Sequence, residues 1–181
     1  MDKASSSSLP DRTGRSIVLV GLMGAGKSTV GRRLAAAMKR DFVDVDDEIE
    51  RAANRTIAEI FDEFGEAHFR DGERRVVQRI MNGPPSVVAT GGGAFVDERT
   101  RALILERGVA VWLDADIDTL VERTGRRDTR PLLKGGNPHA ILSDLKERRS
   151  DAYSQAHLHI VTDNGPHERT VALIVEALEA W

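Results

Sequence analysis

Residues Gly21-Leu22-Met23-Gly24-Ala25-Gly26-Lys27-Ser28 set glycines, a lysine and a hydroxyl in the spacing G-x-x-x-x-G-K-S. Glycines let the backbone curl so that its N–H groups converge on one concavity, which is an anion site. A lysine there neutralises the terminal phosphates of a nucleotide, and the adjacent hydroxyl suits a hard cation such as Mg²⁺. The expected nucleotide contacts run over Gly24, Ala25, Gly26, Lys27, Ser28 and Thr29, with Ser28 reaching the metal.

Such a loop does not say what the nucleotide is used for, so the second substrate must be sought at the carboxyl ends of other strands. Asp44-Val45-Asp46 closes a short apolar run, and in an extended chain its two carboxylates point to one side. One of them could hold a metal's water shell and the other could accept a hydrogen bond from a substrate hydroxyl. Asp47, Glu48 and Glu50 need no such role, because acidic residues favour a helix start. Gly91-Gly92-Gly93 follows another apolar run, where bare backbone permits close approach of a ligand. Arg70 lies four residues after Glu66 and three before Glu73, so a solvated helix-surface ion pair competes with any ligand role. Arg148 and Arg149 suit a helix C-terminus equally well. His157-x-His159 lacks a third ligand and reads as a half-exposed edge strand.

The elements that must position these groups alternate along the chain. Apolar runs at Ile17–Val20, Phe42–Val45, Val87–Ala89, Val109–Leu113 and His159–Thr162 read as strands. Helical spacing appears over Lys27–Met38, Glu66–Met81, Asp97–Arg107, Asp116–Arg123, Pro138–Tyr153 and from Pro166 onward, and a capping box opens another helix at Thr56. Strands alternating with helices predict one three-layer α/β domain over 15–181 around a parallel sheet of about five strands. Residues 125–137 carry charges, glycines and Pro131 without periodicity and read as a mobile lid, while 1–14 reads as a disordered tail.

Composition fits this reading. The 181 residues carry 26 Lys+Arg against 29 Asp+Glu, a net charge of -3 that argues against nucleic acid or an anionic membrane as partner. Zero cysteines exclude disulfides and thiol chemistry. Neither a signal peptide nor a membrane-spanning run is evident, so a cytoplasmic location is expected. No apolar stripe is left over for self-association, and a monomer is expected.

Taken in order, G-L-M-G-A-G-K-S, D-V-D (44–46), G-E-A-H-F-R-D-G-E (65–73), T-G-G-G (90–93), R-P-L-L (130–133) and R-R-S-D-A-Y (148–153) resemble the shikimate kinases along nearly the whole chain. The resemblance implies a P-loop nucleoside-kinase-like fold and Mg²⁺-dependent transfer of the ATP γ-phosphoryl group to the 3-hydroxyl of shikimate, toward aromatic amino acids. It implies that Lys27, Asp46 and Arg130 are catalytic, with Asp46 orienting the hydroxyls and Arg130 reaching the phosphoryl group from the lid. Arg70, Gly92, Gly93 and Arg149 resemble the shikimate-binding set, with Glu73 holding Arg70 and Phe61 and Phe69 walling the ring. Asp44 resembles the residue that reaches Mg²⁺ through water, and Arg123 an arginine stacked on adenine. Where many relatives place a second adenine-side arginine, this chain has Asn164-Gly165-Pro166, so only modest discrimination among nucleotides is expected. A gluconate kinase would share the phosphate loop and lid without needing Arg70 paired with Arg149. A catalytically silent homologue would be expected to lose Lys27, Asp46 or Arg70.

Overall fold

The computed structural model describes residues 14–126 and 135–181. The expected tail, Gly14 apart, and residues 127–134 of the expected lid lie outside the described residues. Five strands, β1 (Ser16–Val20), β2 (Phe42–Asp44), β3 (Val87–Ala89), β4 (Gly108–Ala115) and β5 (Leu158–Thr162), form one parallel sheet in the order β2-β3-β1-β4-β5. The central strand β1 carries four consecutive apolar residues, Ile17 to Val20, each 0% exposed. That unbroken run is what a strand covered on both faces requires.

Among the described residues, seven helices cover the sheet: α1 (Lys27–Met38), α2 (Val45–Ala53), α3 (Ile57–Met81), α4 (Glu98–Arg107), α5 (Ile117–Gly125), α6 (Pro138–Tyr153) and α7 (His167–Ala180). Helices α1 and α7 pack together, as do α3 with α4 and α5 with α6. The strand order reverses beside β1, which opens a crevice beyond the carboxyl ends of β1 and β3 where such sheets take ligands.

Two local features aim side chains into that crevice. Thr56 Oγ1 accepts from the Glu59 N–H and the Glu59 carboxylate accepts from the Thr56 N–H, so α3 starts on a complete capping box. The helix is then broken at Gly65, whose φ of 80° is costly for a residue with a Cβ. After the break, Phe69, Glu73, Val76 and Val77 share the buried side. The His157-x-His159 pair has partners that account for it without a metal. His157 Nδ1 accepts from the Ala110 N–H, and the His159 ring stacks on Trp112 and meets Asp114. β5 is an edge strand, as its alternating burial requires.

Candidate active site

A cleft of about 420 Å³ lies at the crevice, lined at one end by Gly24, Gly26, Lys27, Ser28 and Thr29. Gly26, at φ 92°, caps α1 without a side chain, leaving the first N–H groups of the helix to a ligand. Lys27 is buried and its Nζ donates to the carbonyls of Gly21 and Leu22, both at 2.8 Å. Those bonds hold the ammonium beside the phosphate loop. Ser28 Oγ donates to Asp44 Oδ2 at 2.7 Å. A hydroxyl and a carboxylate side by side on the cleft make an all-oxygen set, which fits a hard divalent cation. No cluster of three His, Asp or Glu side chains able to hold a metal occurs among the described residues.

Asp44 and Asp46 share the cleft, but not by the route the sequence suggests. The strand stops at Asp44, which becomes the N-cap of α2 and accepts from the Asp46 N–H at 3.0 Å. The helix start, not an extended chain, turns both carboxylates inward. Burial is the main cause that raises the Asp46 carboxyl to a pKa of about 6; the neighbouring Asp44 adds to the shift and Lys27 opposes it.

At the far end the chain turns through Gly91-Gly92-Gly93, and each glycine faces a different charged side chain. A methyl group added at Gly91 would lie 3.0 Å from Asp46 Oδ1 and 3.6 Å from Glu73 Oε2. One added at Gly92 would lie 3.0 Å from Arg149 Nη1, and one at Gly93 would overlap the Arg70 guanidinium. Two cations and two carboxylates thus close on one stretch of bare backbone. Arg70 Nη1 donates to Glu73 Oε1 at 2.7 Å, and the Glu73 side chain is only 1% exposed. Its Oε2 is buried with no hydrogen-bond partner among the described residues. An orphaned acceptor of this kind is costly unless a ligand donates to it. Burial raises the Glu73 pKa, against the pull of Arg70.

Adjacent arginines on α6 part company here. Arg148 points outward to pair with Asp144 at 3.0 Å, whereas Arg149 reaches Gly92. Four residues on, Tyr153 donates its hydroxyl to the Gly92 carbonyl and fixes the helix to the glycine turn. The i, i+4 pairing of Arg149 with Tyr153 is a signal that was present in the sequence, as was Gly91 beside its two neighbours. Phe61 and Phe69 pack with centroids 4.6 Å apart and their rings tilted by 35°, and the Arg70 guanidinium lies 5.2 Å from the Phe69 ring.

On the opposite side, Arg123 Nη2 donates to the Asp163 carbonyl at 2.6 Å while Nη1 reaches the carbonyls of Gly24 and Ala25. Asn164, Gly165 and His167 line the same end of the cleft. His167 had no distinguishing signal in the sequence beyond following Pro166. Arg130 lies outside the described residues.

Comparison with known proteins gives the family of the chain. The family model for shikimate kinase matches residues 23–179. The chain belongs to the shikimate kinase family. Its activity is that of the family, ATP-dependent phosphorylation within aromatic amino acid biosynthesis. A shikimate kinase from Novosphingobium aromaticivorans is 57% identical over 94% of this chain and 90% of its own. One from Caulobacter vibrioides is 54% identical over 91% of this chain and 82% of its own. Among solved structures, a shikimate kinase from Acinetobacter baumannii in complex with shikimate superposes with a TM-score of 0.89 at 39% identity, covering 93% of this chain and 94% of that one. No helix among the described residues is long and apolar enough to cross a membrane.

Proposed function

We propose that this shikimate kinase binds the acceptor's carboxylate between Arg70 and Arg149, binds its ring hydroxyls at Asp46 and Glu73, and phosphorylates the 3-hydroxyl. The observation that carries this reading is the convergence of those four side chains on Gly91–Gly93. Planar guanidiniums suit a carboxylate, and the unpartnered Glu73 oxygen suits a hydroxyl donor. The ligand held by the Acinetobacter baumannii relative has both groups, a carboxylate and ring hydroxyls.

In the reaction the acceptor oxygen attacks the γ-phosphorus, the bond from that phosphorus to ADP breaks, and the hydroxyl proton passes to the Asp46 carboxylate. A pKa raised to about 6 leaves this carboxylate ionised at neutral pH yet more basic than an ordinary aspartate. Lys27 exchanges its bonds to the Gly21 and Leu22 carbonyls for the phosphates as charge develops. Ser28 and, through water, Asp44 are the residues that would hold Mg²⁺, which when bound neutralises phosphate charge. Phosphoryl transfer needs positioning and charge neutralisation more than covalent help, and this arrangement supplies both. Arg130, in the 125–137 stretch, is assigned to the transferring group by the family motif alone.

The test is ADP release with Mg²⁺-ATP against shikimate, its methyl ester, quinate, gluconate and nucleoside monophosphates. Shikimate is expected to be turned over best, with the ester much weaker for want of a carboxylate. An ester used as well as the acid would overturn the two-arginine clamp, and preference for gluconate would overturn the acceptor assignment.

A further inference from the structure

The turn joining β5 to α7 lines the cleft through Asn164 and Gly165. Asp163 bonds within this turn: its Oδ1 accepts from the Gly165 N–H at 2.8 Å and its Oδ2 pairs with Arg169 at 3.2 Å. The Asp163 carbonyl accepts from Arg123, so the turn and the arginine are fixed to each other. His167, opening α7, comes to the same point from the other side. A methyl group at Gly26 would lie 3.7 Å from Arg123 Nη1 and 3.8 Å from His167 Cε1. Arg123 and His167 therefore both overlook the nucleotide end of the cleft. Asn164 lines the same cleft, and its Nδ2 donates to Glu122 Oε2 at 2.9 Å. Glu122 is in turn paired with Arg126 at 2.5 Å through its other oxygen.

An amide has one donating and one accepting end, and a carboxylate can only accept. Glu122 therefore decides which end of Asn164 is used up, and the carbonyl Oδ1 is left over. Asn164 and Glu122 both line the cleft. We propose that Asn164, oriented by Glu122, reads the edge of the nucleotide base: its Oδ1 accepts a hydrogen bond from an exocyclic amino group, as adenine carries, and opposes a base with a carbonyl there. Asn164 is then a specificity-determining residue and Glu122 a positioning residue that acts through it. The inference rests on nucleotide binding at the phosphate loop and not on the identity of the acceptor.

ADP and IDP, close in shape, test this: at position 6 an amino group is exchanged for a carbonyl, and with it the adjacent N1 changes from an acceptor to an N–H donor. Titration calorimetry on the full chain with each diphosphate and Mg²⁺ needs no acceptor and no turnover, so it fails independently of the acceptor reading. Wild type should bind ADP about tenfold more tightly than IDP, the scale of one neutral hydrogen bond plus the cost of opposing two carbonyls. Asn164→Ala should at least halve that ratio, mainly by weakening ADP. Glu122→Ala should lower it too, whereas Glu122→Gln, which keeps an acceptor for the Asn164 amide, should restore most of it. Removing a surface contact alone would weaken both nucleotides alike and leave the ratio unmoved. A wild-type ratio under about threefold, or one that Asn164→Ala leaves within about twofold of its original value, overturns the proposal.

Discussion

The two ends of the cleft are built from different materials. At the end proposed for the acceptor, Asp46, Glu73, Arg70 and Arg149 are packed against glycine backbone, and burial raises both carboxyl pKa values. At the base end, Arg123 and Asn164 are tied to backbone carbonyls and to an exposed carboxylate near the rim. Charged groups in a low-dielectric site interact strongly and cannot be replaced by water, whereas rim groups can. The acceptor end should therefore govern kcat and acceptor affinity steeply, and the base end should tune nucleotide affinity gently.

The sharpest way to break this comparison is Asp46→Asn. Loss of the proton acceptor should lower kcat by at least about a hundredfold while nucleotide affinity changes little, as steady-state kinetics and ADP titration would show. The same variant should be the more stable protein. Because the folded pKa of about 6 lies above the ordinary value of 3.8, ionising Asp46 opposes folding. That penalty is absent below the ordinary value, grows between the two, and is complete above the folded value. The melting temperature of Asp46→Asn should therefore exceed wild type at pH 8 and converge with it near pH 4. An activity loss without this crossover would show that Asp46 is not strained by its surroundings.

Gly93→Ala changes no charge, yet its methyl group needs the space of the Arg70 guanidinium. Acceptor KM should rise by about ten- to a hundredfold with kcat less affected, since displacing Arg70 opens one arm of the clamp. A KM within twofold of wild type would mean that Arg70 does not work from where it stands.

A pH series tests the same end more lightly. With Asp46 titrating at about 6, kcat/KM should fall roughly tenfold per unit below that point and level off above it. A flat profile between pH 5 and 8 would break the link between burial and catalysis.

The smallest effect belongs to the base end. Arg123→Ala should raise nucleotide KM by about ten- to thirtyfold, the scale of a stacked cation, and leave the acceptor KM unchanged. If it instead lowered kcat as steeply as Asp46→Asn, the two ends would not be separable and the comparison would fail.

Much of the molecule was legible in the chain because it depends on local rules. The phosphate loop is a contiguous pattern whose mechanism is backbone geometry. The helix over Lys27–Met38 and the one over Pro138–Tyr153 are bounded by signals within a few residues of their ends. The continuous apolar run at Ile17–Val20 already marks a strand buried on both faces. The residues proposed to bind the acceptor were legible only through an ordered set of motifs. Taken alone, Arg70 and Arg149 look like surface ion-pair or helix-end arginines, and only the i, i+4 spacing to Tyr153 separates Arg149 from Arg148.

Tertiary structure decided what these residues became. Strand order brought a turn after β3 against side chains from α2, α3 and α6, separated by up to about a hundred residues in sequence, and no local pattern encodes that meeting. Ending β2 at Asp44 made a capping group of one carboxylate and a buried acid of the other. The kink at Gly65 and the Tyr153 tether to Gly92 placed Glu73 and Arg149 on the same bare backbone. Burial, which raises the pKa values of Asp46 and Glu73, is a property of neighbours and not of residue types. The sequence by itself determined the phosphate-binding chemistry and the layered fold; only packing in three dimensions determined which charges lost their water.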